Sequence, residues 1–117
     1  MIPLASAGVR IFIFTGATDM RKSFNGLSGL VSEHFDVELL SGHLFLFFNR
    51  KRDCVKILTW DRDGLAIWYK RLEAGSYQLS ALGQDDRSLE VDSTQLSLLL
   101  SGVDLTSVKR RKRYQAA

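Results

Sequence analysis

Three apolar, β-prone runs follow one another with almost no chain between them: LFLFF from Leu44, CVKILTW from Cys54 and LAIWYKRL from Leu65. The connections, residues 49–53 and 61–64, are five and four residues long and rich in Asn, Asp and Gly. That is the length and composition of hairpin connections, so the spacing predicts an antiparallel β-meander. A sheet of this kind must cover at least one face with something apolar. That cover must come from the segments on either side of the meander.

On the N-terminal side, VRIFIF from Val9 is β-branched and aromatic, and the TGATD that follows supplies turn chemistry, which predicts a buried strand and a loop. Beyond it, Phe24, Leu27, Leu30, Val31 and Phe35 recur at three- and four-residue steps. That period predicts an amphipathic helix from about Met20 to His34, capped by Thr18 or Asp19. Gly26 and Gly29 weaken it by about 1 kcal/mol each relative to Ala, so packing must hold it, and the small residues suit a close approach to the sheet. On the C-terminal side, residues 77–79 and 88–91 offer a weaker hairpin around GQDD. TQLSLLL from Thr94, with Asp92 or Ser93 as cap and Gly102 just past its end, reads as a short helix. The fold class is α+β: an antiparallel meander packed against an N-terminal amphipathic helix, with a short C-terminal helix. Residues 1–108 form one domain, and residues 109–117 form a flexible basic tail with little to bury.

At 117 residues the chain supports one hydrophobic core, and its 45% hydrophobic content places it among globular proteins. A single cysteine, Cys54, excludes an intramolecular disulfide and a multi-cysteine zinc site, and it fits a reducing, cytoplasmic setting. No apolar run approaches the roughly 20 residues of a membrane span, and MIPLASAGVR lacks the order of a secretory signal. The formal charge of +3 is concentrated: Lys109, Arg110, Arg111, Lys112 and Arg113 supply five of the 16 positive charges. Residues 1–108 carry 11 positive against 13 negative charges, with seven Lys or Arg against three Asp in 50–71 and one Arg against six acids in 72–108. Such polarity suits a surface that meets a charged partner.

The DRDG string at residues 61–64 has the alternating acids of a calcium loop, but the fifth and twelfth positions counted from Asp61 are Leu65 and Leu72. Neither can ligate, so the string reads as a turn with Gly64 at positive φ and Asp61 bonding backbone amides. A two-metal nuclease would need convergent carboxylates, and nothing in the spacing of Asp19, Asp61 and Asp63 brings them together. His34 and His43 are nine residues apart without a third ligand, and Cys54 has no partner base, so the first two read as surface or helix-end residues and the third as core. No cofactor is expected. The aromatics Phe45, Phe47, Phe48, Trp60, Trp68 and Tyr69 are assigned to the core, with base stacking on an open sheet face as the alternative. Arg50, Lys51 and Arg52 on one loop, and Lys70 and Arg71 near the end of the next strand, fall at the same end of the meander. They are candidates, with Lys109–Arg113, for salt-dependent contact with nucleic-acid phosphates. The acidic segment from Glu73 to Asp104 supports a different partner, another protein docked by charge complementarity.

Three strings taken in order, VRIFIFTGATDMRKSFNGL, SGHLFLFFNRKRDCVKIL and WDRDGLAIWYKRLEAGSY, together with the looser LSLLLSGVDL, resemble the TnpB accessory protein of bacterial insertion sequences of the family numbered sixty-six. The resemblance implies a non-enzymatic accessory factor in DNA transposition that works with the transposase and other element-encoded proteins. Its signature positions here are Asp19, Met20, Arg21, Lys22, Gly42, Lys56, Trp60, Asp61, Gly64, Lys70, Arg71, Leu72 and Gly75. Proline is expected where Ala17 and Leu39 stand and near Leu79, so this chain departs from the pattern in those loops. Arg21 and Lys22, placed in the first helical turn, would oppose the helix dipole unless Asp19 or an anionic partner offset them. The resulting expectation is a protein that binds the DNA of the element ends through Arg21, Lys22, Arg50, Lys51, Arg52, Lys70, Arg71 and the tail. The alternative is an adaptor that touches the transposase and not DNA.

Overall fold

The computed structural model describes residues 8–79 and 88–101, with the backbone of 103–104 and 109–110. Strand β1 (Ile11–Ala17) leads into helix α1 (Phe24–His34), then a single 3-10 turn at Leu39–Ser41, and then β2 (Leu44–Phe48), β3 (Cys54–Asp61) and β4 (Gly64–Arg71). The order continues with β5 (Ser88–Val91), α2 (Ser93–Ser101) and the two-residue strands β6 (Val103–Asp104) and β7 (Lys109–Arg110). The main sheet has the order β4-β3-β2-β1-β5. The α+β class holds, and β2, β3 and β4 form the expected antiparallel meander.

The sheet as a whole is mixed, because β1 runs parallel to β2, with α1 as the crossover between them. β5 pairs antiparallel with β1, Ile11 opposite Val91, whereas residues 77–79 are not a strand, so the hairpin expected between these two segments does not exist. The GQDD string lies outside the described residues. Local alternation in the last segment could not distinguish β5 pairing with a neighbour from pairing with the first strand of the chain.

Because β1 and β2 are central, both of their faces are covered, which is why IFIF and LFLFF read as unbroken apolar runs. Alternate residues divide into two cores. Ile11, Ile13, Leu46, Phe48, Val55 and Ile57 pack with Leu96 and Leu99 of α2 and with Tyr77 and Leu79. On the other face Phe12, Phe14, Phe45, Phe47 and Leu58 pack with Leu27 and Val31 of α1 and with Phe35. Phe45 is the centre of the second core: its ring lies 5.5 Å from Phe12 and 5.4 Å from Phe35, the latter edge-on. The expectation of a buried aromatic core therefore holds for the three Phe of β2. It fails for Tyr69, which is 52% exposed.

Helix α2 begins as read: Asp92 Oδ1 accepts the Gln95 amide at 2.7 Å while Gln95 Oε1 accepts the Asp92 amide at 3.0 Å, a reciprocal capping box. Helix α1 begins later than its periodicity predicts, at Phe24 rather than near Met20. Asp19 holds residues 19–22 in a turn of its own, its Oδ1 accepting the Arg21 amide at 2.9 Å and its carbonyl accepting the Lys22 amide at 3.0 Å. The Lys22 carbonyl is taken by the Lys56 ammonium at 2.8 Å instead of by a helical amide. Arg21 and Lys22 thus precede the helix and do not face its dipole from within the first turn. Gly26 does not admit the sheet either: a Cβ there would lie 3.1 Å from Lys22 Cγ, so the position accommodates the lysine stem, and at Gly29 a Cβ would meet nothing within 4 Å.

Candidate nucleic-acid interface

Identifiable local devices position several of the basic residues singled out above. The β2–β3 loop is organised by Asn49, whose Oδ1 accepts the amides of Asp53 at 3.1 Å and Cys54 at 3.0 Å and whose Nδ2 donates to Asp53 Oδ1 at 2.6 Å. The Asn49 carbonyl also accepts the Arg52 amide at 3.1 Å. Arg52 closes the turn with φ 62°, a left-handed conformation uncommon outside glycine. This network presents Arg50 and Lys51 outward, both exposed and, among the described residues, in no ion pair. Asn49 also holds the Asp53 carboxyl below its usual range by hydrogen bonding, with Lys51 a smaller contributor.

Arg52 departs from the expected outward display. Its guanidinium is half-buried and donates to the Thr15 carbonyl at 3.1 Å, and its carbonyl accepts the Tyr77 amide at 2.7 Å. Thr15 lies in a bulge where the register of β1 on β2 shifts between Phe14 and Ala17, which turns that carbonyl toward the loop. Gly16 belongs to the same device, since a Cβ there would come within 2.9 Å of the Phe14 ring. Burial lowers the Arg52 pKa from its ordinary value, but an arginine remains cationic throughout the working range. Arg52 is therefore a clamp between loop and sheet.

Lys70 and Arg71 do lie beside the loop, since they pair with Val55 and Cys54 at the start of β3. Strand alternation sends them to opposite faces, Arg71 with Tyr69 and Lys56 on the α1 side and Lys70 on the α2 side. Arg71 has Glu73 at 4.0 Å, both exposed. Arg21 is bound by Asp19, with Nη2 to Oδ2 at 2.7 Å. Hydrogen bonds from the Arg21 side chain and amide hold the Asp19 pKa down to about 2. This exposed pair orders the 19–22 turn more than it stabilises the fold.

Lys56 carries no assigned role in the sequence beyond its place among the positions of resemblance. It is buried on the α1 face, with its ammonium on the Lys22 carbonyl and 4.9 Å from the centre of the Tyr69 ring. Through it the 19–22 turn is fixed to β3. The loop, the turn and the end of β4 together enclose an open concavity of about 430 Å³, lined by Thr18, Asp19, Met20, Asn49, Arg50, Lys51, Asp53, Cys54 and Tyr69. Of the basic candidates Arg50 and Lys51 line it, Arg71 and Lys70 pair with the start of β3 at the same end of the sheet, and Lys22 is tied to β3 through its carbonyl. Lys109 and Arg110 form β7, paired with Val103 and Asp104, and their side chains, like Arg111, Lys112 and Arg113, lie outside the described residues.

The DRDG string is a turn in which Asp61 pairs with Gly64 across two residues. The residue at positive φ is Arg62, at 57°, and not Gly64, and the Asp63 amide donates to the Asp61 carbonyl rather than to its side chain. Asp61 stands at one end of the eight-residue β3 and the Asp19 concavity at the other, roughly 23 Å apart at the rise of a strand. Among the described residues no three His, Cys, Asp or Glu side chains gather as a metal site. No helix among them is long and apolar enough to cross a membrane.

The family model for IS66 Orf2 like proteins, also labelled TnpB, matches residues 9–110. The chain belongs to this family. The IS66 Orf2-like assignment covers every element from β1 to β7 and associates the protein with transposition of insertion sequences. Two proteins of Sinorhizobium fredii are similar over almost their whole length. The uncharacterized protein y4jC is 32% identical over 106 residues, 91% of this chain and 89% of the relative. The uncharacterized protein y4hO is 35% identical over 104 residues, 89% of this chain and 88% of the relative. No solved structure matches. At several of the positions through which the sequence resembles this family, the geometry supplies a local reason. Gly42 and Gly75 sit at φ 88° and 77°, Lys56 ties turn to sheet, and Asp19 organises the 19–22 turn.

Proposed function

We propose that this protein is a non-catalytic accessory component of transposition that contacts DNA of the element ends with one end of its sheet and assists the transposase there. The observation that carries the reading is the Asn49-organised loop, which holds Arg50 and Lys51 exposed and without ion-pair partners among the described residues, beside the end of β4 that carries Lys70 and Arg71. A loop backbone fixed in this way has less freedom to lose when its cations meet a polyanion, and each phosphate they neutralise releases condensed counterions. Phosphate contacts of this kind position a protein on a duplex without selecting sequence, so choice of the element ends falls to the transposase. Lys70 and the Lys109–Arg113 segment extend the contact, whereas Arg21 and Arg52 serve it indirectly by shaping the turn and the loop.

The test is titration of labelled duplex, carrying an element end or an unrelated sequence, over a range of salt concentrations. Binding is expected to weaken steeply with salt and to differ little between the two duplexes. The double substitution Arg50→Glu, Lys51→Glu should lower affinity and reduce the slope of log K against log salt by about two, at unchanged circular dichroism. Truncation after Val108 should lower affinity further. Absence of binding at low salt, or binding indifferent to the charge reversal, rejects the reading. Retention of the transposase after nuclease treatment, with no duplex binding, would establish the adaptor instead.

A further inference from the structure

The meander leaves β4 at the edge of the sheet, and the hydrogen-bond pattern fixes which of its backbone groups are unused. The Leu72 amide donates to the Asp53 carbonyl directly opposite, and the Asn49 amide to the Cys54 carbonyl on the other side of β3. Antiparallel ladders alternate bonded and non-bonded pairs, so in β4 it is Gly64, Ala66, Trp68 and Lys70 that bond to β3. The amides and carbonyls of Leu65, Ile67, Tyr69 and Arg71 point away from the sheet, and among the described residues no strand pairs with them. Eight residues is long for an uncovered edge, and proteins usually blunt such edges with proline, a bulge or inward charge. Here the only charges on the strand are Lys70 and Arg71, at its C-terminal end.

We propose that the β4 edge pairs antiparallel with β4 of a second copy of this chain, joining two five-stranded sheets into one of ten strands. In the register that uses all four outward residues, Leu65 faces Arg71 of the other copy and Ile67 faces Tyr69, with Trp68 opposite Trp68 on the two-fold axis. Aromatic and β-branched cross-strand pairs are the favourable kind, and the non-bonded Trp68 pair sits where side chains approach most closely. Charge selects the same arrangement. A parallel pair would set Lys70 and Arg71 beside their own copies, whereas the antiparallel pair separates the two Arg71 positions by roughly 20 Å along the strands. It also sets each Arg71 opposite Leu65 of the other copy, two residues past the loop Arg62–Asp63 that closes the hairpin. The basic end of the strand thus meets the end of an identical one that carries Asp61, Arg62 and Asp63, a net negative turn. The inference uses only the edge and does not depend on DNA binding.

Site-resolved amide exchange on the full chain, combined with sedimentation velocity over an about hundredfold range of concentration, tests it. The expected result is a dimer at high concentration in which the amides of Leu65, Ile67, Tyr69 and Arg71 exchange at least about tenfold more slowly than after dilution. Those of Ala66, Trp68 and Lys70 should stay protected throughout. The variant Ile67→Pro deletes one outward donor and leaves the ladder to β3 intact, so a folded monomer is expected. If that variant does not fold, exchange in the unaltered chain decides the question. A monomer at every concentration, a dimer in which the four outward amides exchange freely, protection of those amides that survives dilution to monomer, or a folded dimeric Ile67→Pro overturns the proposal.

Discussion

Asn49→Ala should loosen the candidate interface and the fold together. The substitution removes three side-chain hydrogen bonds: two accepted from the Asp53 and Cys54 amides, and one donated at 2.6 Å to the Asp53 carboxylate. A neutral bond in this setting contributes about 1 kcal/mol net, and one to a charged group about 1.5–3 kcal/mol. The Asp53 carboxylate regains water when its partner is lost, which returns part of that sum. We expect a loss of about 2 kcal/mol, which for a domain of this size corresponds to roughly 10 °C in Tm. Thermal unfolding followed by circular dichroism measures it directly. Asn49→Asp is the companion: it keeps the acceptor for both amides but sets a second carboxylate against Asp53. It should be destabilised at neutral pH and recover on mild acidification, when a proton restores the missing donor. A Tm within about 2 °C of the parent for Asn49→Ala would refute the view that this side chain organises the loop.

Lys56→Met exchanges an internal clamp for an apolar chain of similar length. Losing the bond to the Lys22 carbonyl and the contact with Tyr69 should cost about 1–2 kcal/mol by chemical denaturation, after allowance for the relieved burial of a charge, and should speed amide exchange in residues 19–23. Asp92→Ala removes half of the α2 capping box and should cost about 1 kcal/mol, with Asp92→Ser recovering most of it. Acidification should destabilise the fold in two stages. His43 has its pKa lowered, first by burial and then by Arg10, and its Nδ1 accepts the Arg10 amide at 3.0 Å. Its contribution is present above its ordinary value of 6.5 and is lost as pH falls through the lower folded value. Asp19, held at about 2 against an ordinary 3.8, contributes fully above 3.8 and gives up its contribution as pH falls toward 2. A Tm that is flat from pH 7 to pH 5, or that rises on acidification, would contradict the His43 assignment.

What the sequence determined by itself was local. Hairpin-length connections fixed the meander of β2, β3 and β4, three- and four-residue spacing placed the apolar stripe of α1, and a cap at Asp92 or Ser93 marked the start of α2. Each depends on groups a few residues apart, so the chain carries the signal in its order. The four strings in sequence also carried the family, and no fold was needed to see it. Tertiary structure decided everything that joins distant segments. Nothing in IFIF says that β1 lies parallel beside β2 or that β5 returns to it, because both pairings depend on which apolar faces remain uncovered once the helices have packed. Arg52 reads as a surface cation and Lys56 carries no assigned role until the carbonyls of Thr15 and Lys22 arrive from other parts of the chain, and helix α1 starts after the turn that the second of those carbonyls belongs to. The same long-range choice leaves β4 at the edge of the sheet, with four amides and four carbonyls whose direction only the ladder to β3 sets.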